Sequence, residues 1–289
     1  MPTMDGPEII AHTLSQRTTP DKNGNSWQYR SRSDHHSRVT CWAVLFDVLQ
    51  HSALLRHHVE TDRIVFAVGH QMYDQEADRT KKVDLVLGLP AQHDSPPARQ
   101  PASFHSLAVD WSIRLGDPQY QVLADLPRIS SGPVGEVLMA IEAKACMTEH
   151  SKAFPRLLDE LSASHTTIHG DTDTAIAVGL GIINASRTFI SPDRNKHDLS
   201  MLPAVVTIHR QPEQAARAIA RLEKVPVRSG PGQNGYDAFG IVVLDLSNDG
   251  TPVTVVRHEP APEPEDQFFY DQMIRRLSKR YEKSFSDLP

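Results

Sequence analysis

Two apolar, β-branched runs, residues 137–144 and 175–185, stand on either side of a segment in which Leu157, Leu158 and Leu161 recur at helical spacing. A buried strand running into a helix, with a second apolar strand beyond it, is the mark of an α/β architecture, and no all-β or all-helical fold accommodates it. Pro155 places the start of that helix near itself, because proline is tolerated in the first turn and breaks later ones.

The rest of the chain extends this unit. From Ser37, an N-cap residue, Trp42, Leu45, Phe46, Leu49 and Ala53 recur every three or four positions, which predicts an amphipathic helix to about Arg56. Residues 64–68, 83–87 and 205–209 read as short strands, and residues 213–224 as a helix opened by Pro212. Residues 239–246 and 252–257 flank Ser247-Asn248-Asp249-Gly250, a turn composition that predicts an antiparallel hairpin. The expected fold is α/β, with a central mixed β-sheet flanked by helices.

At 289 residues, with 39% apolar and 23% charged side chains, one elaborated domain is expected rather than a disordered chain. Residues 1–34 are polar with weak periodicity and read as an N-terminal arm, followed by a core over 35–257. Within that core the proline-rich stretch 90–134 reads as an insertion with one strand-like island at 107–115. An acidic proline spacer, HEPAPEPED, follows at 258–266. It leads into a helix over 268–283 carrying Arg275, Arg276, Lys279, Arg280 and Lys283, either a phosphate contact or a solvated face.

No run approaches the roughly 18 apolar residues of a membrane span, and the first residues have no signal-peptide pattern, so no membrane partner is expected. Cys41 and Cys146 are the only cysteines, which excludes a disulfide framework or a cysteine-rich zinc site and suits a cytoplasmic location. The formal charge of −6 means that any polyanion must be held by a local basic patch.

Chemistry concentrates at Asp84 in KKVDLVLG and at Glu142 and Lys144 in LMAIEAKAC. Side chains alternate along a strand, so Glu142 and Lys144 share a face. Burying an acid and an amine among Leu138, Met139, Ala140 and Ile141 is costly unless they pair, bind metal or line a cleft. Two carboxylates on neighbouring strands make a hard-oxygen site suited to Mg²⁺, with Mn²⁺ as a substitute. An adjacent lysine can orient or deprotonate an attacking water and offset charge on a pentacovalent phosphorus. Of the nine lysines, Lys144 alone has an acidic residue two positions before it.

Asp84, a long connection, Glu142-Ala143-Lys144 and the helix that follows resemble the PD-(D/E)XK nuclease superfamily, the restriction-endonuclease-like fold, over residues 38–190. Val83 stands where that motif has proline, and 57 residues separate the two acids. The resemblance implies that Asp84, Glu142 and the carbonyl of Ala143 ligate Mg²⁺ while Lys144 acts on the water. It implies an endonuclease of the restriction or defence type acting on DNA. Asp47 is the one candidate for the acid that some members carry on the first helix. Duplex symmetry adds the expectation of a homodimer.

Lys81 and Lys82 beside Asp84, and Lys152 and Arg156 after the central strand, are candidate DNA-binding residues. Asp110 and Asp117 rival Asp84 as the first acid. A separate reading gathers His165, His169, Asp171 and Asp173 as ligands of a metallophosphohydrolase. A third keeps the fold as a non-catalytic nucleic-acid-binding module. The string Gly230-Pro231-Gly232-Gln233-Asn234-Gly235 has the dinucleotide-binding spacing without a preceding strand, and Asp34-His35-His36 does not end an apolar strand, so neither carries weight.

Overall fold

A computed structural model describes residues 4–75, 78–91, 101–230 and 232–288, with the backbone alone at 151 and 152. In chain order the elements are α1 (Gly6–Leu14), β1 (Thr19–Pro20), β2 (Ser26–Trp27), α2 (His35–His51), α3 (Ala53–Glu60), β3 (Val65–Asp74) and β4 (Arg79–Pro90). Then come α4 (Phe104–Asp110), α5 (Asp117–Asp125), β5 (Val134–Cys146), α6 (His150–Asp171), β6 (Ile176–Asn184), β7 (Thr188–Ile190) and β8 (Val206–Ile208). The chain closes with α7 (Glu213–Leu222), β9 (Ala238–Asp245), β10 (Thr254–Val255) and α8 (Tyr270–Phe285).

The expected α/β architecture is present as a six-stranded mixed sheet in the order β10-β9-β6-β5-β4-β3. Strands β5, β6 and β9 are parallel, while β3, β4 and β10 run against their neighbours. One apolar layer joins α1, α2 and α8 to the sheet through Ile9, Trp42, Phe46, Ile274 and Leu277. The other joins α6 and α7 through Phe154, Leu161, Ile219 and Leu222. The central strand is buried on both faces, which explains why its sequence is a continuous apolar run rather than an alternating one.

Several expectations shift. Residues 6–14, expected in an arm, form a helix whose Ile9, Ile10 and Leu14 are fully buried. The helix from Ser37 starts at His35 and divides at Ser52, whose hydroxyl accepts from the Leu55 N–H and caps α3. The strand-like island 107–115 is the end of α4 followed by a turn: Leu107, Trp111, Ile113 and Leu115 are buried, but Val109 is 79% exposed. Its apolar residues fall on every second position, so the local period is that of a strand. The Ser103–Ser106 capping box, which starts a helix at Phe104, decides otherwise.

Helix α6 begins at His150, not Pro155, because the buried His150 ring meets the Asn184 carbonyl at 2.9 Å and Phe154 is buried below it. That anchorage holds a turn ahead of the proline. Strand β8 pairs with β7 in a separate ribbon and not in the main sheet. The hairpin expected around Ser247–Gly250 is present as β9 and β10.

Candidate active site

The site forms where two central strands part. Strand β4 pairs with β5 from Pro90↔Val134 to Leu85↔Ile141. Beyond that point β4 follows β3 to Arg79, and β5 follows β6 to Cys146. Asp84 and Glu142 stand at the apex of this fork, and their carboxylates replace the missing ladder bonds. The Asp84 N–H donates to Glu142 Oε2 at 3.3 Å, and the Ala143 N–H donates to Asp84 Oδ2 at 3.0 Å. An unpaired backbone N–H in such a place is costly, so the two acids are held by the fork they hold open.

Glu142 is almost completely buried, and Lys144 Nζ lies 2.6 Å from its Oε1. Lys81 Nζ lies 3.6 Å from the same oxygen and donates to the Glu160 carbonyl at 2.7 Å and to the Ser164 hydroxyl, both on α6. Two carboxylates therefore share two ammonium groups in a largely enclosed place. Burial, then the neighbouring Glu142, pushes the Asp84 carboxyl up to about 6, against the opposing pull of Lys144, the Ala143 N–H and Ser37. Burial alone would lower the Lys144 ammonium, but Glu142 and Asp84 outweigh it and raise its pKa above the ordinary value. Burial lowers that of Lys81, with Glu142 opposing.

Across the sheet, Glu142 and Lys144 align with Gly179 and Gly181 of β6. A methyl group on Gly179 would lie 2.5 Å from the Phe239 ring and 2.9 Å from that of Tyr236. The absence of side chains there lets two aromatic rings pack beneath the charged pair.

Asp84, Glu142, Ala143 and Lys144 thus converge as the sequence proposes, and Lys81 joins them. Lys81, expected from sequence as a DNA contact, has its ammonium facing Glu142 and α6. The signal was present in the sequence, since Lys81 lies three residues before Asp84, but its direction depends on how the β3–β4 hairpin crosses α6. Lys82 is exposed, and its stem runs past Gly69. Arg156 is 85% exposed and paired with Glu160 at 2.6 Å, a surface i,i+4 pair rather than a group aimed at the centre. The side chain of Lys152 lies outside the described residues.

The remaining acids are elsewhere. The Asp47 carboxylate accepts from the N–H groups of Asp5 and Gly6 and from the Tyr270 hydroxyl, anchoring α1 to α2 and α8. It is a structural acid, which corrects its candidacy for the centre. Asp110 and Asp117 are exposed at the end of α4 and the start of α5. The His165, His169 and Asp171 grouping does not form a metal site either. His169 Nε2 meets the Gly235 carbonyl at 3.0 Å, Asp171 accepts the Tyr73 N–H, and His165 packs edge-on against Tyr236. Among the described residues no three His, Cys, Asp or Glu side chains gather as metal ligands.

A two-carboxylate centre fits Mg²⁺, which uses one or two protein carboxylates and completes its octahedron with water and phosphate oxygens. The donor set agrees with that fit, since hydrogen bonds to the strand backbone hold the Asp84 and Glu142 carboxylates side by side. The fold and site together define an α/β protein with a two-acid, two-lysine centre at the fork of a mixed sheet. No family model, curated protein or solved structure matches the chain. Among the described residues no helix is long and apolar enough to cross a membrane.

Proposed function

We propose that the protein is a metal-dependent nuclease that hydrolyses DNA phosphodiester bonds, of the restriction or defence kind, with Mg²⁺ as its ion and Mn²⁺ as a substitute. One observation carries this reading: Asp84 and Glu142 meet at the fork of β4 and β5, with Lys144 at 2.6 Å from Glu142. The similarity to PD-(D/E)XK nucleases drawn from the motif agrees with it.

Asp84, Glu142 and the Ala143 carbonyl would hold Mg²⁺, which when bound polarises the scissile phosphate and lowers the pKa of water. Lys144, kept protonated by Glu142 and Asp84, orients the attacking water and balances the negative charge that grows on phosphorus. Water adds to phosphorus and gives up a proton to solvent, the P–O bond to the leaving sugar oxygen breaks, and that oxygen takes up a proton from solvent. Lys81 holds the Glu142 carboxylate from the other side. Cutting both strands of a duplex calls for two such centres, and a homodimer supplies them.

The test is conversion of supercoiled plasmid to nicked or linear DNA in Mg²⁺ and in EDTA, by wild type, Lys144→Ala and Asp84→Ala. Cutting that needs Mg²⁺ and is lost in both folded variants is the expected result. A folded wild type that leaves unmodified, modified and single-stranded DNA intact would overturn the reading.

A further inference from the structure

The described residues also include a strongly charged pocket away from the fork, lined by Arg228, Arg275, Arg276, Lys279, Arg280 and Lys283 around Asp237, with a volume of about 430 Å³. Six cations line the pocket against Asp237, with Asp173 3.6 Å from Arg228 and Asp271 3.8 Å from Arg275 at its margins, in a chain whose net charge is −6, so the patch is a local concentration and not a reflection of composition. Asp237 Oδ1 accepts from Arg228 at 2.9 Å and from Arg280 at 3.0 Å, and its Oδ2 accepts the Ala177 N–H. Asp237 is therefore fully engaged. Arg276 donates to the neutral carbonyl of Arg228, while Lys279 and Lys283 are exposed, with no ion pair among the described residues.

Arg228 is 4% exposed and lies at the base of the pocket, where its Nε donates to Asp237 and its Nη1 lies 3.6 Å from the Asp173 carboxylate. Its charge is largely matched there, so the cations left to meet a ligand are those of α8, above all Lys279 and Lys283.

The arrangement favours an extended polyanion over a single phosphate. From Arg275 to Lys283 the cations run eight residues along α8, about 12 Å, which matches three to four nucleotide steps of one strand at roughly 3.4 Å each. Register gives the pocket's separation from the fork. Glu142 aligns with Gly179, and Gly179 with Phe239, so Asp237 lies two strands across and two residues along, about 12 Å from Glu142 between Cα atoms.

We infer that this pocket binds the phosphodiester backbone of nucleic acid outside the cleavage centre, an inference that rests on the nuclease reading for the identity of the polyanion. Lys279 and Lys283 supply the contacts that reach solvent, and Arg228, Arg276 and Arg280 form the positive floor.

The experiment measures binding of a labelled 20-base-pair duplex by fluorescence anisotropy in EDTA across salt concentrations. It compares wild type with Lys279→Gln/Lys283→Gln, with folding confirmed by circular dichroism and plasmid cutting by wild type scored alongside. The expected result is weaker binding with a salt slope shallower by about 1.8, two phosphate contacts at roughly 0.9 each. A wild type that cuts and binds, with a variant of unchanged affinity and slope, overturns the pocket and leaves the nuclease reading standing. A slope that falls without any cutting supports the pocket and removes the nuclease reading. A wild type that neither cuts nor binds removes both.

Discussion

Replacing Lys144 with methionine should destabilise the fold as well as abolish cutting, and the two effects can be separated. Glu142 is 1% exposed and Lys144 22%, so the substitution strands a carboxylate in the interior. Breaking a buried pair by removing one partner typically costs 3–5 kcal/mol; Lys81 at 3.6 Å and the partial exposure of Lys144 reduce this to about 2–3 kcal/mol. The double variant Glu142→Gln/Lys144→Met removes both charges and should recover most of that loss, leaving a coupling of about 1–2 kcal/mol in the double-mutant cycle. Urea unfolding reports it through the fluorescence of Trp42, which is fully buried and stacked on Phe104. Lys144→Met, Glu142→Gln, which completes the cycle, and the double variant should all be inactive on plasmid, so the recovered double variant distinguishes lost chemistry from lost structure. A Lys144→Met midpoint equal to that of wild type, or a double variant whose loss equals the sum of the singles, would refute the buried coupling.

Two further outcomes follow from the acids. Asp84 must be ionised to hold a cation, and its carboxyl is pushed up to about 6, so Mg²⁺ affinity measured by calorimetry should fall as pH drops through about 6; a flat profile between pH 5 and 8 would contradict the enclosed pair. Asp47→Asn should keep plasmid cutting while costing about 1–2 kcal/mol at pH 4, where the native Asp47 carboxyl is protonated, since it disturbs the anchor of α1 and no group of the centre. Burial raises Asp47 from 3.8 to about 7 despite the Tyr270 and backbone hydrogen bonds. The native state therefore binds the extra proton between those values, and wild type should lose stability relative to Asp47→Asn as pH rises from 4 to 7 and no further above it. Urea midpoints at pH 4, 7 and 9 check the sign.

What could be read from sequence was decided by how local its cause is. The β5, α6, β6 unit was legible because Leu138, Ile141, Val178 and Ile182 repeat the apolar pattern of strands buried on two faces. Asp84, Glu142 and Lys144 stood out because each interrupts such a run. Their convergence was implied by the motif, but its geometry was not legible, because it depends on β4 and β5 being neighbours and parting at Leu85/Ile141. The direction of Lys81 was hidden for the same reason: its ammonium is directed by Glu160 and Ser164, some eighty positions away. Asp47 misled because a buried acid on the first helix looks the same in sequence whether it serves a metal or the N–H groups of residues 5 and 6. At 107–115 an alternating pattern arose from a helix end and a turn, and only the Ser103–Ser106 box could have corrected it.

The fork explains why charged groups are kept in so apolar a sheet. A ladder that continued past Leu85 and Ile141 would pair the backbone of Asp84 and Ala143 without side chains, and hydrophobic residues of similar volume would then be at least as stable as the ion cluster. Once the strands separate, the N–H groups of Asp84 and Ala143 need acceptors, and the carboxylates of Glu142 and Asp84 are the ones that reach them. Those acids in turn require Lys144 and Lys81. Each member is there because the preceding one would otherwise be buried unpaired, and the result is two acids and two ammonium groups gathered where the sheet divides.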